Sequence, residues 1–329
     1  MNPLSRRRFG ALGLTTLATS ALQPMGWAQA PAPPRRIVVG YPAGGTLDQT
    51  ARRVAEAWRK QGITTIVDNR PGGAGRLANA QLKRERADGN TLLCTHTSAL
   101  SIYPHVYTKL AYDAAADFVP ITPVVSATCA LAVSNAVPAT VKTLADYVRW
   151  VQQAPSRAMF ASPAAGSMAH FLGFQLSEAA ALKLQHVGYR GSSPAMNDLL
   201  GGQIPAYLGF VADFLPYLQS GKLRILAVSG DKRSRAMPGV PTFAEQGYPA
   251  ITGVESYGVF APPGTPEAVV KRLYDDVLTA SKDPALVAGF EEVGMELFTL
   301  TPKAYENHIR TERDKWGPVV RASGFTSEE

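Results

Sequence analysis

The alternation of short apolar runs with helix-period stretches constrains the fold of this chain most. Residues 37–39 form an apolar run, a stretch with helical spacing follows, and residues 63–67 form the next run. The apolar face of the intervening stretch carries Leu47, Thr50, Ala51, Val54 and Trp58. Strand, helix and strand in this order are typical of a parallel sheet covered by helices. The sequence therefore predicts an α/β fold.

The same pattern continues to the C-terminal end. It predicts a helix near residues 77–82 and strands at 91–95, 130–133, 158–161, 185–189, 206–210 and 223–229. A later helix is predicted to start at Pro266, and a last one to carry Tyr305, Ile309, Glu312, Trp316 and Val320. The stretch after residues 130–133 and the strand at 257–260 look like connections between two halves. We therefore predict a discontinuous first domain with a second domain inserted in it.

The N-terminal residues have the three parts of an export signal. Paired arginines at Arg6 and Arg7 precede a mildly apolar run over residues 10–22, and Ala28-Gln29-Ala30 forms a small-x-small cleavage site. The paired arginines select the twin-arginine route. The alternative is a retained membrane anchor, but threonines and serines dilute the run. We predict a signal peptide over residues 1–30 and a periplasmic mature protein.

Charge and cysteine content exclude some classes of protein. The formal net charge is +7, and three of these charges are the arginines of residues 1–30. The remaining excess is small and dispersed, so we expect no nucleic-acid partner. The chain has two cysteines, Cys94 and Cys129. One disulfide is conceivable in an oxidising compartment, but two buried thiols in strands are favoured.

A glycine-rich loop over residues 40–48 joins the first predicted strand to the first helix. Its glycines allow close backbone approach, and free N–H groups at a helix start attract an anion such as a carboxylate. The alternative is an ordinary turn with Thr46 as the helix cap and Asp48 complementing the helix dipole. The loop has neither the P-loop nor the dinucleotide-binding spacing.

Three further loops precede predicted helices. In residues 161–170, Ser167 is a predicted N-cap and His170 lies in the first turns, where a packed histidine is favoured over a ligand contact. Residues 69–76 are expected to shape the domain. Arg190, in the loop over residues 187–191, is either a solvated charge or a carboxylate partner.

Catalytic and metal-binding patterns are weak. No G-x-S-x-G motif occurs, and Ser167 with His170 lacks a third member. The histidines are scattered without ligand spacing; they are His96, His105, His170, His186 and His308. We therefore predict no catalytic residue, no metal and no cofactor, and a protein that is not an enzyme.

Eight motifs in order resemble one known family. They start at Tyr41 (Y-P-x-G-G-x-x-D), Asn69 (N-R-P-G-G-x-G), Asp88 (D-G-x-T-L-L), Ala165 (A-G-S-x-x-H), Tyr189 (Y-R-G), Asp198 (D-L-L-G-G-Q), Pro241 (P-T-F-A-E-x-G) and Ala261 (A-P-P-G-T-P). With Lys315-Trp316, they make the chain similar to the Bug family of solute-binding proteins, the extracytoplasmic receptors of tripartite tricarboxylate transporters.

The resemblance implies a two-domain periplasmic-binding-protein (Venus-flytrap) fold. Each lobe would be a mainly parallel sheet flanked by helices, with two crossing strands as the hinge. We place the discontinuous domain 1 at residues 31–133 plus 258–329 and the inserted domain 2 at 134–257. The family function is to bind a small carboxylate between the lobes and deliver it to a membrane permease. We expect a monomer that does not itself span the membrane.

The resemblance also implies the ligand-binding residues. One lobe would contribute Tyr41, Ala43, Gly44, Thr46 and Asp48, and the other Ala165, Gly166, Ser167 and His170. Positions that vary with the ligand would be Thr97, Ser98 and Asp213. The chain departs from the family pattern at Arg190, where lysine is common, and at Tyr257, where tryptophan is common.

Two other functions remain open at this point. An exported sensor that docks on a signalling receptor would have the same fold and site. An exported hydrolase would use Ser167 as its nucleophile.

Overall fold

The computed structural model describes residues 33–327, so the predicted signal peptide over residues 1–30 lies outside the described residues. The strands are β1 Arg35–Val39, β2 Thr65–Asn69, β3 Thr91–His96, β4 Val119–Ser134, β5 Met159–Ser162, β6 Gln185–Gly188, β7 Ala206–Phe210, β8 Leu223–Val228, β9 Val254–Ala261 and β10 Met295–Leu297. The α-helices are α1 Thr46–Lys60, α2 Arg76–Leu82, α3 Ser98–Ser101, α4 Tyr103–Val106, α5 Leu144–Gln153, α6 Met168–Ala179, α7 Ser192–Leu200, α8 Val211–Phe214, α9 Glu267–Ala280, α10 Pro284–Glu292 and α11 Pro302–Ser323.

The strands form two groups, each with parallel strands flanked by helices. In the first group β2, β1 and β3 are parallel, and β9 joins β3 in the antiparallel direction. In the second group β6, β5 and β7 are parallel. The predicted α/β class is therefore present, with the parallel strands where βαβ units were expected.

The long strand β4 joins the two groups. Residues 119–128 pair with β9, and residues 125–127 also pair with β10. Residues 129–133 pair with β7, and residues 130–134 pair with β8. All these pairings are antiparallel. One continuous strand therefore passes from the first group of strands into the second.

Helix α1 covers the first group with the face that the sequence predicts. Leu47, Ala51, Val54 and Trp58 are all buried there. Burial of such an apolar stripe, rather than intrinsic helix propensity, supplies most of the stability of a surface helix.

The C-terminal helix α11 packs against both groups. Tyr305 and Trp316 are fully buried. Tyr305 contacts Phe260 of β9, with ring centroids 5.3 Å apart. Trp316 lies against Gly253, just before β9, while Phe325 beyond the helix packs edge-on against His170 of α6.

Several element boundaries differ from the predictions. The strand predicted at 130–133 is only the end of β4. The first half of β4 was not predicted because Pro120 and Pro123 are typical of loops. The run at 257–260 belongs to β9, whose start includes the polar residues Glu255 and Ser256. The N-cap of α1 is Gly45, and Thr46 is the first helical residue, so the alternative in which Thr46 caps this helix was wrong.

The cysteines and the lengths of the helices bear on two further predictions. Cys94 in β3 and Cys129 in β4 are free and buried thiols. Within residues 33–327, no helix combines the length and the apolar composition needed to cross a membrane.

Candidate functional site

A cavity of about 440 Å³ lies among the starts of several helices and strand β9. Its lining includes the loop before α1, the loop before α6, the loop before α7 and the start of α8. Cavities of this size hold small organic ligands. The topology brings these loops together because each follows the carboxyl end of a strand, where ligand sites in α/β proteins usually lie.

The start of α1 presents backbone donors to this cavity. Gly44 has a φ of +87°, which glycine adopts without strain, and Gly45 as the N-cap has no side chain to bond the first-turn amides. Gly45, Thr46 and Leu47 line the cavity. Uncapped N–H groups at the positive end of a 15-residue helix favour an anion.

Asp48 supports this loop from behind. Its side chain is buried and accepts hydrogen bonds from the Gly44 amide, Arg52 Nε and Asn69 Nδ2, each 2.8 Å long. Burial by itself would raise the pKa of Asp48, but the hydrogen bonds from Arg52, Gly44 and Asn69 lower it below its usual value. Asp48 therefore fixes the loop and does not line the cavity.

The start of α6 contributes Ser167. As the predicted N-cap, its Oγ accepts the His170 N–H at 3.3 Å and donates to the Ala164 carbonyl at 2.7 Å. His170 Nδ1 accepts the Gly166 N–H at 3.1 Å, and its ring stacks on His186 with centroids 3.7 Å apart. Burial lowers the pKa of His170 to about 4, so the ring is neutral near pH 7.

This arrangement bears on the hydrolase alternative. A nucleophilic serine needs its hydroxyl bonded to a general base. Here the Ser167 hydroxyl donates to the Ala164 carbonyl, and His170 Nδ1 accepts the Gly166 N–H. The geometry of a serine–histidine pair is therefore not formed at Ser167.

Within residues 33–327, no group of three or more His, Cys, Asp or Glu residues is placed to hold a metal ion.

The loop before α7 brings Arg190 to the cavity. Backbone bonds from Tyr189 N to Ser162 O at 3.0 Å and from Gly191 N to Pro163 O at 2.8 Å tie this loop to the loop before α6. Arg190 is exposed, lines the cavity and has no hydrogen-bond or ion-pair partner among the described residues. Its guanidinium is therefore available to an anion.

Strand β9 contributes a buried acid, Glu255, which is 3% exposed. It accepts N–H groups from Ser98 at 3.2 Å and Ser256 at 3.1 Å, and the Ser98 hydroxyl donates to Oε2. Burial raises the pKa of Glu255 to about 7 despite these bonds. Nearby, His96 Nε2 lies 3.0 Å from the Tyr41 hydroxyl, and burial lowers the pKa of His96 to about 4.

Asp213 lies at the start of α8, directly after β7. Its Oδ2 accepts hydrogen bonds from Ser192 Oγ at 2.9 Å, the Phe210 N–H at 3.0 Å and the Tyr207 hydroxyl at 3.4 Å. Burial raises the pKa of Asp213 to about 6 despite these bonds.

The structure brings seven of the twelve predicted site residues to the cavity. Those lining it are Tyr41, Ala43, Gly44, Thr46, Ser98, Ser167 and Asp213. The five outside the lining are Asp48, Thr97, Ala165, Gly166 and His170. Thr97 bonds to Ser256 and Tyr305, and Ala165 packs against Gly188. Whether any of the twelve binds ligand stays a prediction.

The sequence did not predict several lining residues. His96, Glu255 and Tyr257 line the cavity, as do Ser192 and Ser193 beside Arg190. The sequence carried one signal for Glu255, because an acidic residue in an otherwise apolar strand often indicates a functional role. No comparable local signal marks His96 or Tyr257.

Comparison with known proteins defines the class and then the family. The fold is that of periplasmic binding proteins: BugD, a solved periplasmic binding protein, matches with a TM-score of 0.81 and 28% identity over 89% of this chain and 98% of its own. The model of the tripartite tricarboxylate transporter family receptor matches residues 50–325. The chain belongs to this receptor family, as the motifs predicted. BugT of Bordetella pertussis is 31% identical over 97% of this chain and 98% of its own length.

Two similar structures were solved with carboxylates. R. palustris Rpa4515 with adipate has a TM-score of 0.84 and 28% identity, covering 90% of this chain and 99% of its own. MatC from Rhodopseudomonas palustris with bound malate has a TM-score of 0.79 and 25% identity, covering 88% of this chain and all of its own.

Proposed function

We propose that this chain binds a small carboxylate in the cavity between the α1 and α6 starts. The observation that carries the proposal is the uncapped start of α1, whose Gly45, Thr46 and Leu47 line a cavity shared with Ser167. Arg190 adds an unpaired guanidinium at the same cavity. Charge-assisted hydrogen bonds from N–H groups and guanidinium are the usual means of holding a carboxylate. The adipate and malate complexes of similar proteins support this ligand class.

We further propose that the two groups of strands are two lobes. The predicted division, residues 31–133 plus 258–329 against 134–257, is supported by β4, which pairs with one group through residues 119–128 and with the other through residues 129–134. The cavity is lined by loops from both groups. Closure about β4 and β9 would bury the ligand and exclude water.

We propose that the mature protein acts in the periplasm and delivers its ligand to the permease of a tripartite tricarboxylate transporter. Family membership supports the receptor role. Export by the twin-arginine route rests on the paired arginines of the N-terminal sequence, and the mature protein is proposed to work as a monomer.

Thermal unfolding tests carboxylate binding. A ligand that binds only the folded state raises the midpoint, and saturation at about 100 times Kd contributes about 2.7 kcal/mol. We expect a shift of about 5 °C or more with one class of small carboxylates and none with the matched neutral amides. A flat panel, or equal shifts with the amides, would contradict the proposal.

The variant Gly44→Val tests the α1 loop. Valine is strained at the positive φ of Gly44 and adds a branched side chain where a ligand approaches, so we expect the ligand-induced shift to disappear. Gly264→Val is the matched control, because Gly264 has a φ of +77°, open space around it and no place in the cavity lining. It should carry the same backbone strain and keep the full shift. Unchanged affinity in Gly44→Val would remove this loop from the site.

A further inference from the structure

Two groups in the cavity wall have no part in holding the proposed carboxylate. They are Tyr257 of β9 and Asp213 at the start of α8. Both line the cavity. The rings of Tyr257 and Phe210 are 6.1 Å apart, and Asp213 is bonded to the Phe210 N–H, so the two groups share one region of the wall.

Tyr257 lacks a partner for its hydroxyl. The residue is 4% exposed, yet its hydroxyl makes no hydrogen bond to any of residues 33–327. The hydroxyl oxygen is not fully buried, and because Tyr257 lines the cavity, the oxygen is accessible from the cavity. Buried polar groups in folded proteins are almost always hydrogen bonded. The partner of the Tyr257 hydroxyl is therefore either water or a ligand group within the cavity.

Asp213 presents one oxygen in the same way. Its three hydrogen bonds all end on Oδ2, from Ser192, Phe210 and Tyr207. These bonds fix the orientation of the carboxyl group. Oδ1 has no partner among the described residues, and because Asp213 lines the cavity it is preset to accept a hydrogen bond there.

The charges around this region disfavour a second carboxylate on the ligand. The cavity lining holds two carboxyl groups, Asp213 and Glu255, against one guanidinium, Arg190. Burial raises the pKa values of Asp213 and Glu255, so each already resists carrying charge. Another anion beside them would add repulsion, whereas a hydrogen-bond donor would meet Asp213 Oδ1 and the Tyr257 oxygen.

We propose that Asp213 and Tyr257 form a subsite for a hydrogen-bond donor, so that the ligand is a carboxylate bearing an ammonium or hydroxyl group rather than a dicarboxylate. This inference rests on the proposed function, which supplies the site for the carboxylate end. The donor-bearing end would meet Asp213 and Tyr257, and its carboxylate would meet the α1 start.

A matched series of acids tests the subsite by calorimetry. For chains of about two to six carbons, four acids of equal length are compared: the plain monocarboxylate, the hydroxy acid, the amino acid and the dicarboxylate. The best donor-bearing acid should bind about tenfold or more tighter than the dicarboxylate and the plain acid of its length, as expected for one hydrogen bond to a charged group. The amino and hydroxy arms show which donor the subsite prefers.

Two variants link this preference to the subsite. Tyr257→Phe removes one oxygen and keeps the ring, and Asp213→Asn keeps an acceptor for Ser192 and Phe210. Each should weaken the donor-bearing acid about tenfold and should not weaken the plain monocarboxylate. Tyr217→Phe is the control, because Tyr217 is exposed and outside the cavity lining. Far-ultraviolet circular dichroism and the thermal midpoint check that each variant is folded.

The outcomes separate this inference from the proposed function. Tightest binding of the dicarboxylate, or equal binding of the plain acid because water fills the subsite, would overturn the inference and leave carboxylate binding intact. A donor preference that persists in both Tyr257→Phe and Asp213→Asn would also overturn it. Failure of every carboxylate to bind would instead reject the proposed function.

Discussion

Glu255 is buried beside the cavity, and its surroundings make its protonation part of the folded state. Burial raises its pKa from an ordinary value of 4.5 to about 7. Below pH 4.5 the acid is protonated in both the folded and unfolded states. As pH rises toward 7, the unfolded chain loses this proton first, so Glu255 makes folding less favourable over that interval.

We expect Glu255→Gln to gain stability relative to the native protein as pH rises from about 5 to 7. The gain over this interval should be about 2 kcal/mol, because each pKa unit is worth about 1.4 kcal/mol and the interval covers most of the range between the two pKa values. Glutamine keeps an acceptor for the Ser98 and Ser256 amides. Urea unfolding of both proteins at several pH values measures this difference.

The difference between the two proteins is the informative quantity. Burial lowers the pKa values of His96, His170 and His186, so all three add stability to both proteins as pH rises toward 6.5. The contributions of His170 and His186 cancel in the comparison, whereas His96 Nδ1 lies 4.0 Å from Glu255 Oε2, so any change at His96 belongs to the measured difference. Parallel stability curves for the native protein and Glu255→Gln would contradict the expectation.

For single residues, the sequence indicates a place at a helix start where a loop motif carries them. Gly44, Thr46 and Ser167 lie at helix starts that glycine and serine mark in the sequence, and all three line the cavity. His96, Glu255 and Tyr257 were missed because their place depends on the pairing of β3 with β9, which are more than 150 residues apart in the chain. No local pattern encodes such a pairing.

At the scale of elements, the contact between β9 and α11 depends on one glycine. A side chain at Gly258 would collide with the hydroxyl and ring of Tyr305, which is fully buried and bonded to Thr97 at 3.1 Å. The strand and the helix therefore approach as closely as they do because position 258 has no Cβ.

We expect Gly258→Ala to destabilise the protein by about 1–3 kcal/mol, because overpacking forces Tyr305 away from Thr97. Denaturant unfolding measures the change. Gly239→Ala is the matched control: Gly239 is exposed and has open space around its Cβ position. That substitution should stay within about 0.5 kcal/mol of the native protein. A neutral Gly258→Ala would show that α11 shifts without cost.

Element types were predicted better than element bounds. Helix α1 was recognised because its apolar spacing is local, and its predicted face is buried. Strand β4 was recognised only at its end, since two prolines and several hydroxyl residues break the apolar run over residues 119–128. Those prolines are tolerated because β4 pairs irregularly there, with register shifts beside Pro120 and Pro123.

At the scale of the whole molecule, the proposed lobes are joined by β4 and by the approach to β9. Few connecting strands permit a hinge motion, and a ligand held by both lobes favours the closed form by its extra contacts there. Helix α11 lies across both groups of strands, through Tyr305 on β9 and Phe325 on His170. The proposed hinge closure must therefore either keep the contacts of Tyr305 and Phe325 or let α11 shift along its partners.

We expect a saturating ligand to lower the radius of gyration of the native protein in small-angle X-ray scattering. Ligand contacts from both lobes stabilise the closed form, which is more compact. Gly44→Val should show no change with the same ligand, and Gly264→Val should respond as the native protein does. An unchanged radius with a ligand that calorimetry shows to be bound would contradict hinge closure.

The position of Trp316 has a practical consequence for following ligand binding. This indole is fully buried in α11, near Gly253 where the chain enters β9, and its Nε1 donates to Glu312 at 3.0 Å. Indole fluorescence responds to the polarity and packing of its surroundings. A tryptophan located between the proposed lobes gives the molecule an intrinsic optical reporter, so that ligands can be ranked without attaching a dye.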